Sequence, residues 1–172
     1  MWLNKYQLTQ KEIEENDIYS CGTDLVFVCT GGTGIVGFQR RPFPEARPKY
    51  ITKGNVIDMS MSVLGKESGN MGFLRSSEAN SMLYFVEDRI SAIKLARYAP
   101  TVPLFGAHLA VELIERLSNR FKHFRLWLDP DKRKDAFKQC LNLKQKGFLI
   151  EATFSNKDPK EHTDEEIKNI LS

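Results

Sequence analysis

Apolar and polar positions along this chain follow two rhythms. From residue 82 onward, short apolar runs alternate with longer amphipathic stretches. The runs Leu83-Tyr84-Phe85-Val86 and Phe124-Arg125-Leu126-Trp127-Leu128 are too short for helices and read as buried strands. The rhythm predicts strand 82–86, helix 90–98, strand 102–105, helix 108–120, strand 124–128, helix 133–146 and strand 148–153. A closing helix follows from Thr163 to Leu171, with Thr163 or Asp164 as its cap. Strands alternating with helices imply an α/β fold with a mostly parallel sheet and right-handed crossovers.

Upstream the pattern is different. Residues 2–16 read as a short helix, and Thr9-x-x-Glu12 has the spacing of a capping box. Two β-rich runs, Asp24 to Cys29 and Ile35 to Arg40, flank the turn Gly31-Gly32-Thr33-Gly34, which makes 24–41 a hairpin. Pro42, Pro44 and Pro48 then break the chain into loop, and Tyr50-Ile51-Thr52 is another short strand. Between Lys66 and Ser81 the composition shifts to Gly, Ser, Asn and Glu, a connection in which Met71-Gly72-Phe73-Leu74 is the one strand-like run. The expected organisation is a smaller N-terminal α+β lobe over 1–76 and the α/β domain over 77–172.

Two of the strand-like runs stop at carboxylates: Glu87-Asp88 after the first, and Asp129-Pro130-Asp131 after the third. In an open parallel sheet the carboxyl ends of strands lie together, and ligands bind in the crevice outside them. Carboxylates gathered there repel one another, and a divalent cation relieves the repulsion. As alternate residues of an extended strand end, Asp129 and Asp131 are expected to project to the same side. Such hard oxygen donors suit Mg²⁺ or Mn²⁺, which in turn suit phosphate chemistry. Each residue also has a plainer reading. Glu87 is an acid near a helix N-terminus, Asp88 a helix cap, and Asp129-Pro130-Asp131 a turn. Asp135 is expected to face solvent.

Composition narrows this little. A chain of 172 residues suits one domain, or one with an appendage, and 27% charged residues are ordinary for a soluble protein. The net charge of +3 permits a nucleic-acid partner without arguing for one. Its distribution says more: Arg40, Arg41, Arg47, Lys49 and Lys53 crowd one segment, and acids gather from Asp158 to Glu166. Lys132, Arg133 and Lys134 follow the second acidic tip directly. Cys21, Cys29 and Cys140 form no Cys-x-x-Cys pair, which argues against a zinc ribbon and suits a reducing cytoplasm. No apolar run approaches the roughly 20 residues of a membrane span. The glycine turn at 31–34 lacks the ending of a phosphate loop. His108, His123 and His162 have no ligand spacing and read as structural or surface residues.

The order of motifs resembles a Toprim domain: Glu87 after one strand, Gly106 after the next, Asp129-x-Asp131 after the third. The upstream residues Ile35-Val36-Gly37-Phe38-Gln39-Arg40-Arg41 and Pro48-Lys49-Tyr50-Ile51-Thr52 resemble the subdomain that precedes Toprim in bacterial and bacteriophage DnaG-type primases. Trp2-Leu3 through Glu12-Ile13, and Lys157-Asp158-Pro159-Lys160 through Glu166-Ile167, are also similar to bacteriophage primase-like proteins. The resemblance implies a Toprim-like fold and a DNA primase core without zinc-binding or helicase domains. It implies catalytic Glu87, Asp129 and Asp131, and Mg²⁺ or Mn²⁺ held by these residues and Asp158. It further implies that Arg41 and Lys49 contact template phosphates or the initiating nucleotide. Arg40 and Lys53, in the same basic run, are expected to join them, the plainer reading being a solvated face. Lys132 and Arg133 either steady nucleotide phosphates or only balance the nearby acids. The implied partners are a single-stranded DNA template, ribonucleoside triphosphates and a replicative helicase. The implied place is the cytoplasm, a host's if the chain is viral. The pattern departs from the family at Asp88, where glycine is usual, and at Ser91, where aspartate is frequent. A Toprim nuclease and a non-catalytic DNA-binding or replisome adaptor protein are the alternatives.

Overall fold

The structure is a computed structural model and describes residues 2–44, 48–65 and 82–172. These fall in two compact units, residues 2–65 in one and 82–172 in the other. The expected boundary at 76/77 and the run Met71–Leu74 lie outside the described residues.

The first unit opens with a 3-10 turn, Trp2–Tyr6, and helix α1, Gln10–Glu15. The expected single helix over 2–16 is therefore split. Gln7 takes a positive φ of 58°, which ends the first turn before Thr9 starts α1. Thr9 does close the capping box, with Glu12 N–H donating to its Oγ1 at 3.2 Å and its own N–H donating to Glu12 Oε2 at 2.8 Å. Strands β1 (Ile18–Cys21), β2 (Asp24–Gly31), β3 (Gly34–Arg41) and β4 (Ile51–Gly54) form an antiparallel sheet in that order. The hairpin over 24–41 is β2–β3, and its alternation buries Leu25, Phe27 and Cys29.

Helix α2, Val56–Gly65, covers β2 and β3. Its sequence, Val56-Ile57-Asp58-Met59-Ser60-Met61-Ser62-Val63, alternates almost like a strand. The helix forms because Asn55 caps it, accepting from Ile57 N–H at 2.9 Å and Asp58 N–H at 3.2 Å. Met59, Ser60 and Val63 then share the buried face.

The second unit is a four-stranded parallel sheet, ordered β6-β5-β7-β8, from β5 (Met82–Val86), β6 (Thr101–Pro103), β7 (His123–Trp127) and β8 (Leu149–Ala152). Helices α3 (Arg89–Leu95), α4 (Val111–Leu117), α5 (Arg133–Gln145) and α6 (Asp164–Leu171) complete the α/β architecture. Tyr84, Val86 and Trp127 pack with Ala92 and Leu95 of α3 and Ile167 of α6 into one cluster. On alternate positions Phe85 and Phe124 stack with ring centroids 5.8 Å apart. Helix α4 is shorter than the pattern over 108–120. Gln139 of α5 ties down the preceding loop, accepting from Leu109 N–H and donating to the Ala107 carbonyl, each at 2.8 Å.

The strand order creates a switch point. The chain leaves β5 toward β6 on one side and leaves β7 toward β8 on the other, although β5 and β7 are neighbours. Ligands of open α/β sheets bind where such connections diverge, outside the carboxyl ends.

Candidate active site

Both acidic tips stand at this switch point. Val86 pairs with Trp127 in the β5–β7 ladder, so the two strands end level, with Glu87 one residue and Asp129 two residues past the last pair. The end of β6 holds the base of the first tip. Leu104 N–H donates to the Val86 carbonyl at 2.8 Å, and Gly106 N–H donates to the Glu87 carbonyl at 3.1 Å.

Asp88 is the N-cap of α3. Its Oδ1 accepts from the Ile90 and Ser91 N–H groups at 2.9 and 3.0 Å, and its Oδ2 accepts from Ser91 Oγ at 3.1 Å. The two departures from the Toprim pattern, Asp88 and Ser91, are thus bonded to each other. Asp88 Oδ2 also accepts from Lys160 Nζ at 2.9 Å. That ammonium reaches Asp158 Oδ2 at 2.6 Å and lies 3.9 Å from Asp129 Oδ2. The Lys160 side chain is only 4% exposed.

Asp129 and Asp131 are not equivalent. The chain does not stay extended after Leu128; it enters a 3-10 turn at Pro130–Lys132. Asp129 is mostly buried, whereas Asp131 is 71% exposed and lies 3.4 Å from Lys132 Nζ. The proline at the start of the turn favours this course over the same-side extended arrangement.

The electrostatics follow from burial and crowding. Burial pushes the Glu87 carboxyl above its ordinary range, and Asp88 and Asp131 push it further. Burial raises Asp129 to about 7; Lys160 opposes this, while Glu87, Asp158 and Asp88 add to it. Lys160 is held above its ordinary value: burial works against its charge, but Asp88, Asp158 and Asp129 outweigh burial.

These donors can be tested against a divalent cation. Glu87 Oε2 and Asp129 Oδ1 are buried and have no hydrogen-bond partner. A buried carboxylate oxygen left in that state is costly, and a hard cation is the partner it suits. Asp131 is close enough to Glu87 to raise it and is open to solvent. One cation with a few carboxylates, its remaining positions left to water and phosphate, fits magnesium's preference. Among the described residues no three His, Cys, Asp or Glu side chains form a ready-made cage. Lys160 takes the Asp88 and Asp158 oxygens that would extend one.

The expected basic contacts sit as follows. Arg40 lies on the outer face of β3 with Nε 2.5 Å from Asp24 Oδ2. Arg41 is buried, its guanidinium carbon 5.3 Å from the Phe43 ring centre and 5.1 Å from that of Tyr50. It lies beneath the surface, not on it. Lys49 and Lys53 are exposed, and Lys132 is partly exposed. Arg133 is exposed and donates to the Ser155 carbonyl. Arg47 lies outside the described residues.

Sequence reasoning did not single out Lys160. Its signal was the Asp158-Pro159-Lys160 spacing, but its partner Asp88 is 72 residues away. Lys94, another buried lysine, fixes the same turn: its Nζ donates to the Lys160 carbonyl at 3.1 Å and the His162 carbonyl at 2.6 Å.

No protein-family model matches the chain, and no curated protein matches it. Solved structures do. A DnaG catalytic core superposes with a TM-score of 0.67 at 15% identity, over 99% of this chain and 70% of that one. The primase fragment of the bacteriophage T7 primase-helicase gives 0.66 at 14% identity, over 98% and 70%. A DnaG primase catalytic domain bound to single-stranded DNA gives 0.60 at 14% identity, over 98% of this chain and 61% of that one. Both units take part in these matches, since nearly the whole chain is covered. The chain has the fold of a primase catalytic core.

Proposed function

We propose that this chain is the catalytic core of a DNA primase, a nucleotidyltransferase that joins ribonucleoside triphosphates into short primers on single-stranded DNA during replication. The observation that carries the reading is the pair of partnerless carboxylate oxygens, on Glu87 and Asp129, at the sheet's switch point in a chain of primase-core fold. The single-stranded DNA held by one similar catalytic domain supports the choice of template.

Glu87 and Asp129, with Asp131, would hold Mg²⁺ or Mn²⁺. Bound there, such a cation would supply neutralisation of phosphate charge. Glu87 and Asp129 are fixed by β5 and β7, so they are pre-positioned. Lys132 and Arg133, which follow the second tip directly, would steady phosphate oxygens. Lys49 and Lys53 supply exposed charge for a polyanionic template. Phosphoryl transfer needs mostly positioning and electrostatic stabilisation, which these groups supply.

The test is template-dependent synthesis with four ribonucleotides and Mg²⁺ or Mn²⁺, with and without a replicative helicase. Glu87→Gln and Asp129→Asn are each expected to lower synthesis by about a hundredfold or more while the fold melts normally. If both variants still make primers, the site assignment is wrong. Labelled single-stranded DNA without nucleotides separates the nuclease alternative: cleavage lost in the same variants would replace the primase reading.

A further inference from the structure

We propose that Lys160 is a resident cation that neutralises one half of the acidic tip, so that the tip takes a single divalent ion, at Glu87 and Asp129. The inference rests on the reading of the tip as a divalent-cation site, and it concerns how many ions that site holds.

The carboxylates divide into two groups by what their oxygens meet. Asp88 Oδ2 and Asp158 Oδ2 lie 2.9 and 2.6 Å from Lys160 Nζ, both at hydrogen-bond distance. Glu87 Oε2 and Asp129 Oδ1 are buried without a hydrogen bond. Asp129 stands between the groups, since its other oxygen, Oδ2, is 3.9 Å from the ammonium. A buried ammonium with two carboxylates at this range does locally what a bound cation would do, because each compensates the other's lost hydration.

Lys160 is also built in rather than draped over the tip. It lies in the 3-10 turn Pro159–Glu161, which begins at Asp158. Lys94 of the fully buried α3 donates to the carbonyls of Lys160 and His162, on either side of Glu161. The His162 ring lies 5.6 Å from that of Trp127, the last residue of β7. Trp127 Nε1 donates to Ser155 Oγ at 2.9 Å, which anchors the start of the same loop. The turn that carries the ammonium is therefore fastened to α3, which Asp88 caps, and to β7, which leads into Asp129.

Manganese binding by the intact chain, without nucleotide, tests this through the free-ion paramagnetic resonance signal. Wild type is expected to bind one Mn²⁺, at least tenfold more weakly in Glu87→Gln. Lys160→Gln is expected to bind two. Two ions or none in wild type, or one in Lys160→Gln, overturns the inference. Should Lys160→Gln fold only with metal, Mn²⁺ will raise its melting temperature more than that of wild type; an equal or smaller rise overturns it. Should it fold under no condition, the combination Asp88→Asn, Asp158→Asn and Lys160→Gln removes acids and ammonium together, and asparagine caps a helix about as well as aspartate, so α3 keeps its cap. That chain is expected to bind one ion, and two or none overturns the inference. A chain that makes primers but binds two ions keeps the proposed function and loses this inference. A chain that makes none, yet binds one ion and then two, does the reverse.

Discussion

Glu166 shows how much a single side chain can do away from the tip. Its carboxylate accepts from Lys157 Nζ at 2.8 Å and from Thr163 N–H at 2.8 Å. The Lys157 bond, then the Thr163 bond, hold it down at about 2, against an ordinary 4.5. A carboxylate lowered on folding stabilises the fold above its unfolded value and loses that contribution as pH falls toward the folded one. The expected window is therefore about pH 4.5 down to about 2. The melting temperature of Glu166→Gln should lie below that of wild type at neutral pH and converge with it toward about pH 2; a constant gap would show that Glu166 acts through packing alone. The residues of the acidic tips were legible because strand ends and carboxylates are local patterns. The partnership of Lys160 with Asp88 was not, because no local rule links positions 72 residues apart.

At the scale of elements, Gly37 on β3 sets the closeness of β4 and α2. A Cβ placed there would stand 2.6 Å from the Lys53 carbonyl oxygen and 2.6 Å from Met59 Sδ. The thioether can swing aside, but the strand backbone cannot. Gly37→Ala is expected to cost about 1–3 kcal/mol, the usual range for overpacking, and to be read as a lower urea midpoint with unchanged slope. An unshifted midpoint would mean that β4 gives way freely. The cap of α6 makes a smaller prediction. Thr163 Oγ1 accepts from Glu166 N–H at 3.2 Å, so Thr163→Ala should cost about 1 kcal/mol by denaturant titration, and Thr163→Ser much less. The βα rhythm, the hairpin and the Thr9 capping box were readable because periodicity and caps are short-range; for α6 the cap was narrowed to Thr163 or Asp164, and the structure selects Thr163. Strand β1 was not, since three of its four residues are exposed and leave no alternation. Helix α2 was hidden because its alternating sequence reads as strand until Asn55 and the β2–β3 surface select the helix.

At the scale of the whole molecule the charge is mild, at +3, so any affinity for DNA has to come from local clusters. Single-stranded DNA binding, if the proposed function holds, should weaken with salt at a slope of roughly −0.7 per phosphate neutralised. Replacing the exposed Lys49 and Lys53 together by Ala should reduce that slope by about 1.4, measured by fluorescence anisotropy across a salt series. An unchanged slope would remove both lysines from the interface. Arg41 belongs to a different category, because the rings of Phe43 and Tyr50 hold it under the surface, and sequence position alone gave no sign of that. The amino-acid sequence by itself determined the βα rhythm after residue 82, the β2–β3 hairpin and which carboxylates end the strands, because backbone propensity, caps and periodicity act within a few residues; β1 and α2 needed the packed sheet. The tertiary structure alone decided that β5 and β7 end level, that Asp129 is mostly buried while Asp131 is exposed, and that a lysine from the far end of the domain sits among the acids. Those outcomes depend on strand order and on the desolvation of charges brought together from distant positions, and neither is encoded in any single segment.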